Sequence, residues 1–405
     1  MGSLVFIVPE TTTKTRLAFG LLAYAFAAIM VGTTLPTPMY ALYAQQMHFA
    51  VLTTTVIYAT YAGGVLFALL AFGRWSDAIG RRPVLLAGVV FALASAAVFL
   101  AADSVPLLLV ARVLSGLSAG VFTGTATAAV IEAAPEKWHT RAAAVATVAN
   151  IGGLGIGPLL AGLLVEYAPA PLHLSFVVHI VLVLLAGGAV LIVPETSQRT
   201  GGIGAQRLSV PVEVRTVFII AGLAAFAGFA VTGLFTAVAP SFLANVVGID
   251  NHAVAGLIAC SIFASSAVAQ VAVATMNPQR AVAIGCAILV AGMVILAVAL
   301  QLSSLAGLIA ATVVSGIGQG ISFSRGLAAV AERTPPDRRA EVSSTYFVVA
   351  YVAISLPVVG EGLAARQWGL QTAGVTFAVA VAILSTICLV AILLEEAKSR
   401  RAVAV

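Results

Sequence analysis

Residues 73–83 read Gly-Arg-Trp-Ser-Asp-Ala-Ile-Gly-Arg-Arg-Pro and stand between two long apolar stretches of the chain. One stretch ends near Phe72, and the other starts at Val84. A segment this short and this basic is too small to form a domain. It therefore indicates a loop between two membrane-spanning helices.

The composition indicates a membrane protein. Hydrophobic residues make up 61% of the chain and charged residues 9%, whereas a soluble domain carries about 25% charged residues. A spanning helix needs about 20 apolar residues. Twelve candidate spans lie near 17–40, 51–72, 83–102, 106–131, 142–166, 173–194, 213–244, 252–275, 281–301, 305–330, 342–365 and 371–394. The first apolar run is longer than the apolar core of a signal peptide, so residues 1–16 are expected to form a cytoplasmic tail.

Lysine and arginine predict the orientation, because they collect in the cytoplasmic loops of membrane proteins. With twelve spans, 17 of the 20 basic residues fall on one side of the membrane, only Arg366 lies on the other, and Arg112 and Arg325 lie within spans. We therefore expect a multi-pass protein of the bacterial inner membrane with both termini in the cytoplasm. The net charge of +5 follows from this topology and is no argument for nucleic-acid binding.

An internal repeat divides the chain into two halves. Residues 115–120 recur at 315–320, Glu132 and Pro135 recur as Glu332 and Pro335, and residues 162–163 recur at 362–363, always 200 positions later. A polar, glycine-rich stretch separates the two copies, as expected of a linker. We predict a six-helix bundle over residues 1–195, a cytoplasmic linker over 196–212 and a second six-helix bundle over 213–405.

The loop pattern of Gly73, Asp77, Gly80, Arg81 and Arg82 resembles the signature between the second and third helices of the major facilitator superfamily. This resemblance implies an all-α membrane protein with twelve transmembrane helices in two pseudo-symmetric six-helix halves. It also implies a substrate site near the membrane midplane, between the halves.

In that family the loop forms a cytoplasmic latch. The aspartate interacts with the start of helix eleven, here near residues 341–344, and the arginine with an acid at the end of helix four, here Glu132. Asp77 and Arg81 are also four residues apart and can pair if the loop is helical. The alternative is that the arginines only set the topology. The second copy, residues 276–280, keeps one arginine and loses the aspartate, so a stronger latch is expected in the first half.

Arg112 is a charged residue inside the fourth span, where charges are costly and usually functional. It is followed by glycines at positions 116 and 120 and resembles the arginine that the superfamily links to proton coupling. Alternatively, it extends to the membrane interface. Residues 116–120 also match the Gly-x-Ser-x-Gly elbow of hydrolases, which needs a strand-to-helix turn and partner residues. Inside an apolar helix Ser118 is expected to be a packing residue, and the protein is not expected to be an enzyme.

The fifth span carries Gly153, Gly157, Pro158 and Gly162. Small residues at this spacing allow close helix packing, and a proline can bend a helix. The stretch resembles the antiporter motif of the superfamily, with Ala161 at the penultimate glycine. That motif is typical of exporters, so the resemblance favours export.

Polar and aromatic residues at membrane depth suggest a mostly apolar cavity with few polar anchors, suited to a small amphipathic molecule. The candidate cavity residues are Tyr58, Asn150, Gln270, Gln319, Arg325, Tyr346 and Tyr351. Arg325 has no acidic residue in its own span. It is expected either to bind an anionic or carbonyl-bearing substrate or to extend toward Glu332.

Proton coupling needs a titratable group within the spans, and the first span contains no acidic residue. The remaining candidates are Glu361, Glu132 and His179. Glu361 lies near the outer end of the eleventh span, where it is either a coupling residue or a hydrated carboxylate at the interface.

The sequence predicts a proton-coupled exporter of small, largely apolar organic compounds. A sugar or metabolite carrier of the same superfamily is the nearest alternative, and a membrane sensor that moves no ligand is a remote one. Expected partners are the small-molecule substrate, protons and the lipid bilayer. No cofactor, metal or nucleic acid is expected, and the protein is expected to be a monomer.

Overall fold

A computed structural model describes residues 11–403, with the side chains of residues 15–139 and 141–397. The expected tail over residues 1–16 lies largely outside this range. Within the described part, twelve helices are long and apolar enough to span a membrane, which confirms the predicted fold class. We number them in chain order as α1 (Thr11–Thr34), α2 (Val51–Phe72), α3 (Arg81–Leu100), α4 (Val105–Glu132), α5 (His139–Tyr167), α6 (Leu174–Ile192), α7 (Arg215–Ala237), α8 (His252–Ala272), α9 (Pro278–Gln301), α10 (Leu305–Arg333), α11 (Arg339–Trp368) and α12 (Leu370–Val403).

Proline ends the first helix inside its own span. Pro36 and Pro38 follow the end of α1 at Thr34, and the chain continues as a 3₁₀ turn, Thr37–Met39, and a short helix, Tyr40–Met47. Proline lacks the backbone N–H that a regular helix needs. The interruption therefore leaves carbonyl groups at the end of α1 available to other partners.

The repeat seen in the sequence recurs in the helices. α4 and α10 begin at Val105 and Leu305, and α5 and α11 begin at His139 and Arg339. The 3₁₀ turns between them, Glu136–Trp138 and Pro336–Arg338, are again 200 positions apart. The two six-helix halves therefore share one arrangement of helices.

The halves pack against each other through α5 on α8 and α2 on α11. One apolar cluster contains residues of both halves, among them Tyr58 and Ala161 from the first and Phe235 and Ile258 from the second. Burial of these side chains in a common cluster holds the halves together.

Residues 193–211 connect α6 to α7 without forming a helix. The backbone N–H of Gly201 donates to the Asp77 carbonyl at 3.1 Å, and that of Gln206 donates to the Leu70 carbonyl at 2.7 Å. Further along, the N–H of Ser209 donates to Thr345 Oγ1 at 3.2 Å. The connection thus contacts both halves. We call the membrane face that carries it the linker side and the opposite face the far side.

Candidate functional site

The turn between α2 and α3 is built from glycine and one short helix. Gly73 follows the end of α2, and the short helix Trp75–Ile79 leads to Gly80. Gly80 has φ of +109°, a conformation that side chains with a β-carbon rarely adopt. The turn places Arg81 at the first position of α3, facing the end of α4.

Arg81 is the centre of a group of polar side chains that we call the Arg81 cluster: Ser76, Asp77, Arg81, Glu132 and Glu195. Its guanidinium lies 2.5 Å from Asp77 Oδ1 and 2.8 Å from Glu132 Oε1. It also donates to Ser76 Oγ at 2.7 Å. Two carboxylates on one guanidinium form charge-assisted hydrogen bonds, the stronger kind in proteins. The loop, α3 and the end of α4 are therefore held together by one side chain.

The structure places the predicted contact of Asp77 differently. Asp77 bonds Arg81 within its own loop rather than the start of α11. Arg82 uses its backbone N–H, which donates to Glu195 Oε2 at 3.2 Å. On this side the linker residue Ser209 bonds Thr345 of α11 and Arg338, which directly precedes that helix.

Glu195 is a member of the cluster that the sequence analysis missed. Its Oε1 accepts from the backbone N–H of Arg81 at 2.7 Å, so the carboxylate covers the start of α3. Burial alone would raise the pKa of Glu195. Hydrogen bonds from the backbone of Ser197, Arg81 and Arg82, together with the nearby charge of Arg199, outweigh this effect, so the pKa lies below its ordinary value. The sequence offered only an acidic residue shortly after the sixth span, and the positive N-terminus that it meets belongs to a helix distant in the sequence.

Arg112 is buried, with 1% of its surface exposed, and does not extend to the interface. Its Nη1 donates to the Thr33 carbonyl at 2.6 Å, at the point where α1 ends early. The guanidinium also lies 4.6 Å from the Tyr61 ring centre and 5.7 Å from that of Tyr58. Aromatic faces attract cations. Arg112 forms no ion pair among the described residues, so the carbonyl and the two rings stabilise it.

The glycines of α5 lie at two helix contacts. Gly153 and Gly157 face α1, and Gly162 faces Gly256 of α8 in the other half; at each site a β-carbon would collide with the opposite backbone. Pro158 cannot donate to the Leu154 carbonyl, and Thr34 Oγ1 of α1 donates to that carbonyl instead, at 2.7 Å. The motif residues therefore join α5 to its own half and to the opposite half.

A second group that the sequence analysis missed joins the halves on the far side. Glu166, at the end of α5, accepts from the backbone N–H of His252 at 2.9 Å and from Asn251 Nδ2 at 3.2 Å. His252 Nδ1 lies 3.1 Å from the same carboxylate. His252 is the first residue of α8, so the carboxylate also covers the start of that helix. In this conformation the far side is closed by contacts between the halves.

Glu361 of α11 is buried, with 3% of its surface exposed. The interpretation as a hydrated carboxylate at the interface is therefore wrong. Neither carboxyl oxygen has a hydrogen-bond partner among the described residues. An isolated carboxylate is costly to bury without such partners. His179 is also buried, and its Nε2 lies 3.2 Å from the Ala28 carbonyl.

The candidate cavity residues separate into two groups. Tyr58 and Tyr351 lie where the halves meet: a 2.6 Å hydrogen bond joins Tyr58 OH to Thr236 Oγ1 of α7. Tyr351 of the second half packs against the cluster that both halves share and against a cluster of the first half. Asn150 is half-buried.

The other four candidates bond within the second half. Gln270 and Gln319 both bond Ser266, and Tyr346 donates to the Ala221 carbonyl. Arg325 contacts neither a midplane cavity nor Glu332. It donates to the carbonyls of Ala274 and Met276, at 2.7 Å each, beyond the end of α8. This placement corrects the expectation that it lines the substrate cavity.

Two pseudo-symmetric six-helix halves, joined by a linker and closed against each other on one side, define a membrane transporter. A family model described as Major Facilitator Superfamily matches residues 17–356. The chain belongs to this superfamily.

Relatives and solved structures agree with this assignment. The chain is 35% identical to the tetracycline resistance protein, class E, of Escherichia coli over 108 residues, or 26% of each chain. It is 29% identical to the multidrug resistance protein MdtM of Salmonella typhimurium over 219 residues, 54% of this chain and 52% of MdtM. The matched stretches thus span about a quarter to about a half of these relatives.

A bacterial homologue of the human lysosomal transporter Spinster, solved in an inward-facing and unoccupied conformation, has a TM-score of 0.70 at 14% identity. The alignment covers 95% of this chain and 98% of that one. The human organic anion transporter MFSD10 has a TM-score of 0.66 at 17% identity, with 93% and 99% covered. At these identities the likeness shows the fold.

Proposed function

We propose that this transporter exports small, largely apolar organic compounds from a bacterial cell in exchange for protons. Two relatives that match parts of the chain are named for drug resistance, and the glycine and proline pattern of α5 resembles the antiporter motif of the superfamily. The linker side faces the cytoplasm in this proposal. The concentration of arginine and lysine on that side supports the orientation.

Glu361 is the observation that carries the proton-coupled part of the proposal. It is a buried carboxyl group inside a spanning helix, with no hydrogen-bond partner among the described residues. Such a group can hold a proton in one conformation and release it when the next conformation exposes it to water. Intramembrane ionisable residues commonly belong to proton pathways.

Transport would proceed by rocking of the two halves, residues 1–195 and 213–405, about a substrate site between them. The present conformation is closed on the far side, where Glu166 holds His252 and where Gly162 meets Gly256. In the opposite conformation these contacts would open, and Asp77 would approach the start of α11. Substrate would bind near Tyr58 and Tyr351, where the halves meet, and near Asn150.

Proton release from everted membrane vesicles tests the coupling residue. In vesicles acidified by respiration, addition of a transported drug to the wild type is expected to raise the internal pH, seen as recovery of a quenched pH-sensitive dye. Glu361→Gln is expected to abolish this recovery while drug binding persists, because the amide cannot release a proton. Glu213→Gln, an exposed acid beside α7, is the matched control. Full recovery in the Glu361→Gln vesicles would contradict the assignment.

A susceptibility panel tests the substrate class. An efflux-deficient bacterial host expressing the protein is expected to tolerate some hydrophobic antibiotics and dyes, and Asp77→Asn and Arg112→Ala are expected to lose this effect while still reaching the membrane. Protection against no compound, or sensitisation to a hydrophilic analogue, would favour a metabolite carrier. The buried charge of Arg112, which has no acidic partner among the described residues, supports an anionic metabolite as that second candidate.

A further inference from the structure

A cavity of about 510 Å³ lies in the second half at the linker side, between the ends of α7, α9, α10 and α12. Its mouth carries Arg280, Arg333, Glu395 and Glu396, and its floor is apolar, with Ala329 and Ile392 among the lining residues. This volume falls within the range of about 300–1,000 Å³ that is usual for small-molecule sites.

The equivalent place in the first half is filled. There the ends of α1, α3, α4 and α6 leave only about 10 Å³ around Arg81 and Ala129. Ala129 and Ala329 are 200 positions apart, as are Glu195 and Glu395. Because the helices correspond one to one, the large cavity is a feature of the second half and not a general consequence of the fold.

The difference comes from the course of the chain after the sixth helix of each half. α6 ends at Ile192, and the chain turns so that Glu195 reaches the start of α3. α12 instead continues as a helix through Val403, and Glu395 stays on it. The start of α3 is covered by the carboxylate of Glu195, but the start of α9 is covered by a neutral amide. Asn277 Oδ1 accepts from the backbone N–H of Arg280 at 3.2 Å.

The two arginines of the mouth share the cavity with Glu395 and Glu396 but are not bonded to either of them. Arg280 and Arg333 form no ion pair in the part of the chain that the structure describes. Arginine binds phosphate and carboxylate groups through two parallel hydrogen bonds. The apolar floor beneath the mouth suits hydrocarbon, whose burial is favourable in proportion to its area.

We propose that this cavity binds an anionic amphiphile, with its phosphate or carboxylate head between Arg280 and Arg333 and its hydrocarbon against the floor around Ala329 and Ile392. Arginines between the ends of spanning helices are suited to anionic lipid head groups. Glu395 and Glu396, also at the mouth, repel the anion and limit the charge that the site accepts. The site is separate from the substrate site between the halves and does not depend on what the protein transports.

Titration of the purified full-length protein in a non-ionic detergent with dodecyl phosphate tests the proposal. We expect native mass spectrometry to detect one bound molecule and the thermal unfolding midpoint to rise to a plateau. The double variant Arg280→Ala/Arg333→Ala is expected to bind about tenfold more weakly or worse, a difference of one power of ten in Kd. Arg207→Ala, which removes an exposed charge of the linker, is the matched control and should bind like the wild type.

Two further variants test the proposal even if the double variant fails to fold. Ala329→Phe keeps both arginines and fills the apolar floor, so it should lose dodecyl phosphate binding. Glu395→Gln removes one repelling charge and should tighten binding. Weaker binding by Glu395→Gln would indicate a zwitterionic ligand and overturn the proposal, as would unchanged binding by the double variant or by Ala329→Phe.

The source of the ligand is distinguished by two comparisons. Inorganic phosphate should not reproduce the plateau if the hydrocarbon contributes to binding, and nanodiscs with phosphatidylglycerol should protect the wild type more than nanodiscs with phosphatidylcholine. A plateau with phosphate alone, lost in the double variant, would keep the anion site and assign it to a soluble phosphate ester. That result would overturn the lipid-like part of the proposal.

Discussion

The two linker-side ends of the helix bundle differ although they are built from equivalent helices. In the first half Arg81 contacts Asp77 and Glu132, while Glu195 holds the start of α3. In the second half, Arg280 and Glu395 stand apart around a large cavity. Equivalent helices of a duplicated unit thus form a filled polar cluster in one copy and an open site in the other.

The difference shows that two copies of one helix arrangement can form different structures at equivalent positions. α4 and α5 recur as α10 and α11 with an offset of 200 positions. The divergence lies in a few charged residues and in the path of the chain after α6 and α12. In the first half the connection must return to α7, which brings Glu195 to α3. In the second half α12 continues as a helix through Val403.

Among the variants considered, removal of Arg81 should destabilise the protein most. Arg81→Ala leaves two carboxylates facing each other without a counter-charge, so we expect a loss of about 2–3 kcal/mol in the free energy of unfolding together with loss of transport. The thermal unfolding midpoint of the purified protein and drug tolerance of the host would measure the two effects.

The matched control is Arg280→Ala, at the equivalent place in the second half. Because Arg280 forms no ion pair among the described residues, its removal should change the stability by less than about 0.5 kcal/mol. Equal losses for the two variants would mean that the Arg81 cluster contributes no more than its open counterpart.

A larger side chain at each linker-side end tests whether the two halves differ in the free space that they leave there. Ala129→Leu should cost about 2 kcal/mol, because the surrounding space is already filled and the added carbons force neighbours to move. Ala329→Leu should be neutral or stabilising, since cavity filling commonly stabilises proteins. Denaturant unfolding of both variants measures the difference, and a large loss for Ala329→Leu would show that the cavity closes in solution.

The sequence allowed the fold to be predicted nearly in full, because hydropathy, basic loops and the repeat all report on membrane spans. It also paired Arg81 with Glu132, since a motif placed both residues. It missed Glu195 and the Glu166–His252 contact, because each depends on where a chain end meets the start of a distant helix. Such meetings are fixed by tertiary packing and leave no local pattern.

Arg325 and Glu361 show the same limit for charges inside spans. The sequence places both at membrane depth but does not tell which carbonyl or cavity each one meets. Arg325 donates to two backbone carbonyls just beyond the end of α8. Glu361 has no hydrogen-bond partner among the described residues. Burial and partnership follow from how the helices are rotated, and small-residue spacing determines rotation only approximately.

The smallest expected effect concerns the two glutamates that are 200 positions apart. Glu195→Gln weakens the bonds to the start of α3 and should cost about 1 kcal/mol at neutral pH, similar to the loss of a helix cap. The folded pKa of Glu195 lies below its ordinary value of 4.5, so the carboxylate stabilises the protein above that pH, and the contribution is lost as the pH falls through the folded pKa. The gap between the unfolding midpoints of wild type and variant should therefore narrow on acidification. Glu395→Gln should show neither the loss nor the narrowing, because Glu395 covers no helix start. A gap that stays constant with pH would mean that the carboxylate charge of Glu195 does not hold α3, and the two ends would then differ in shape alone.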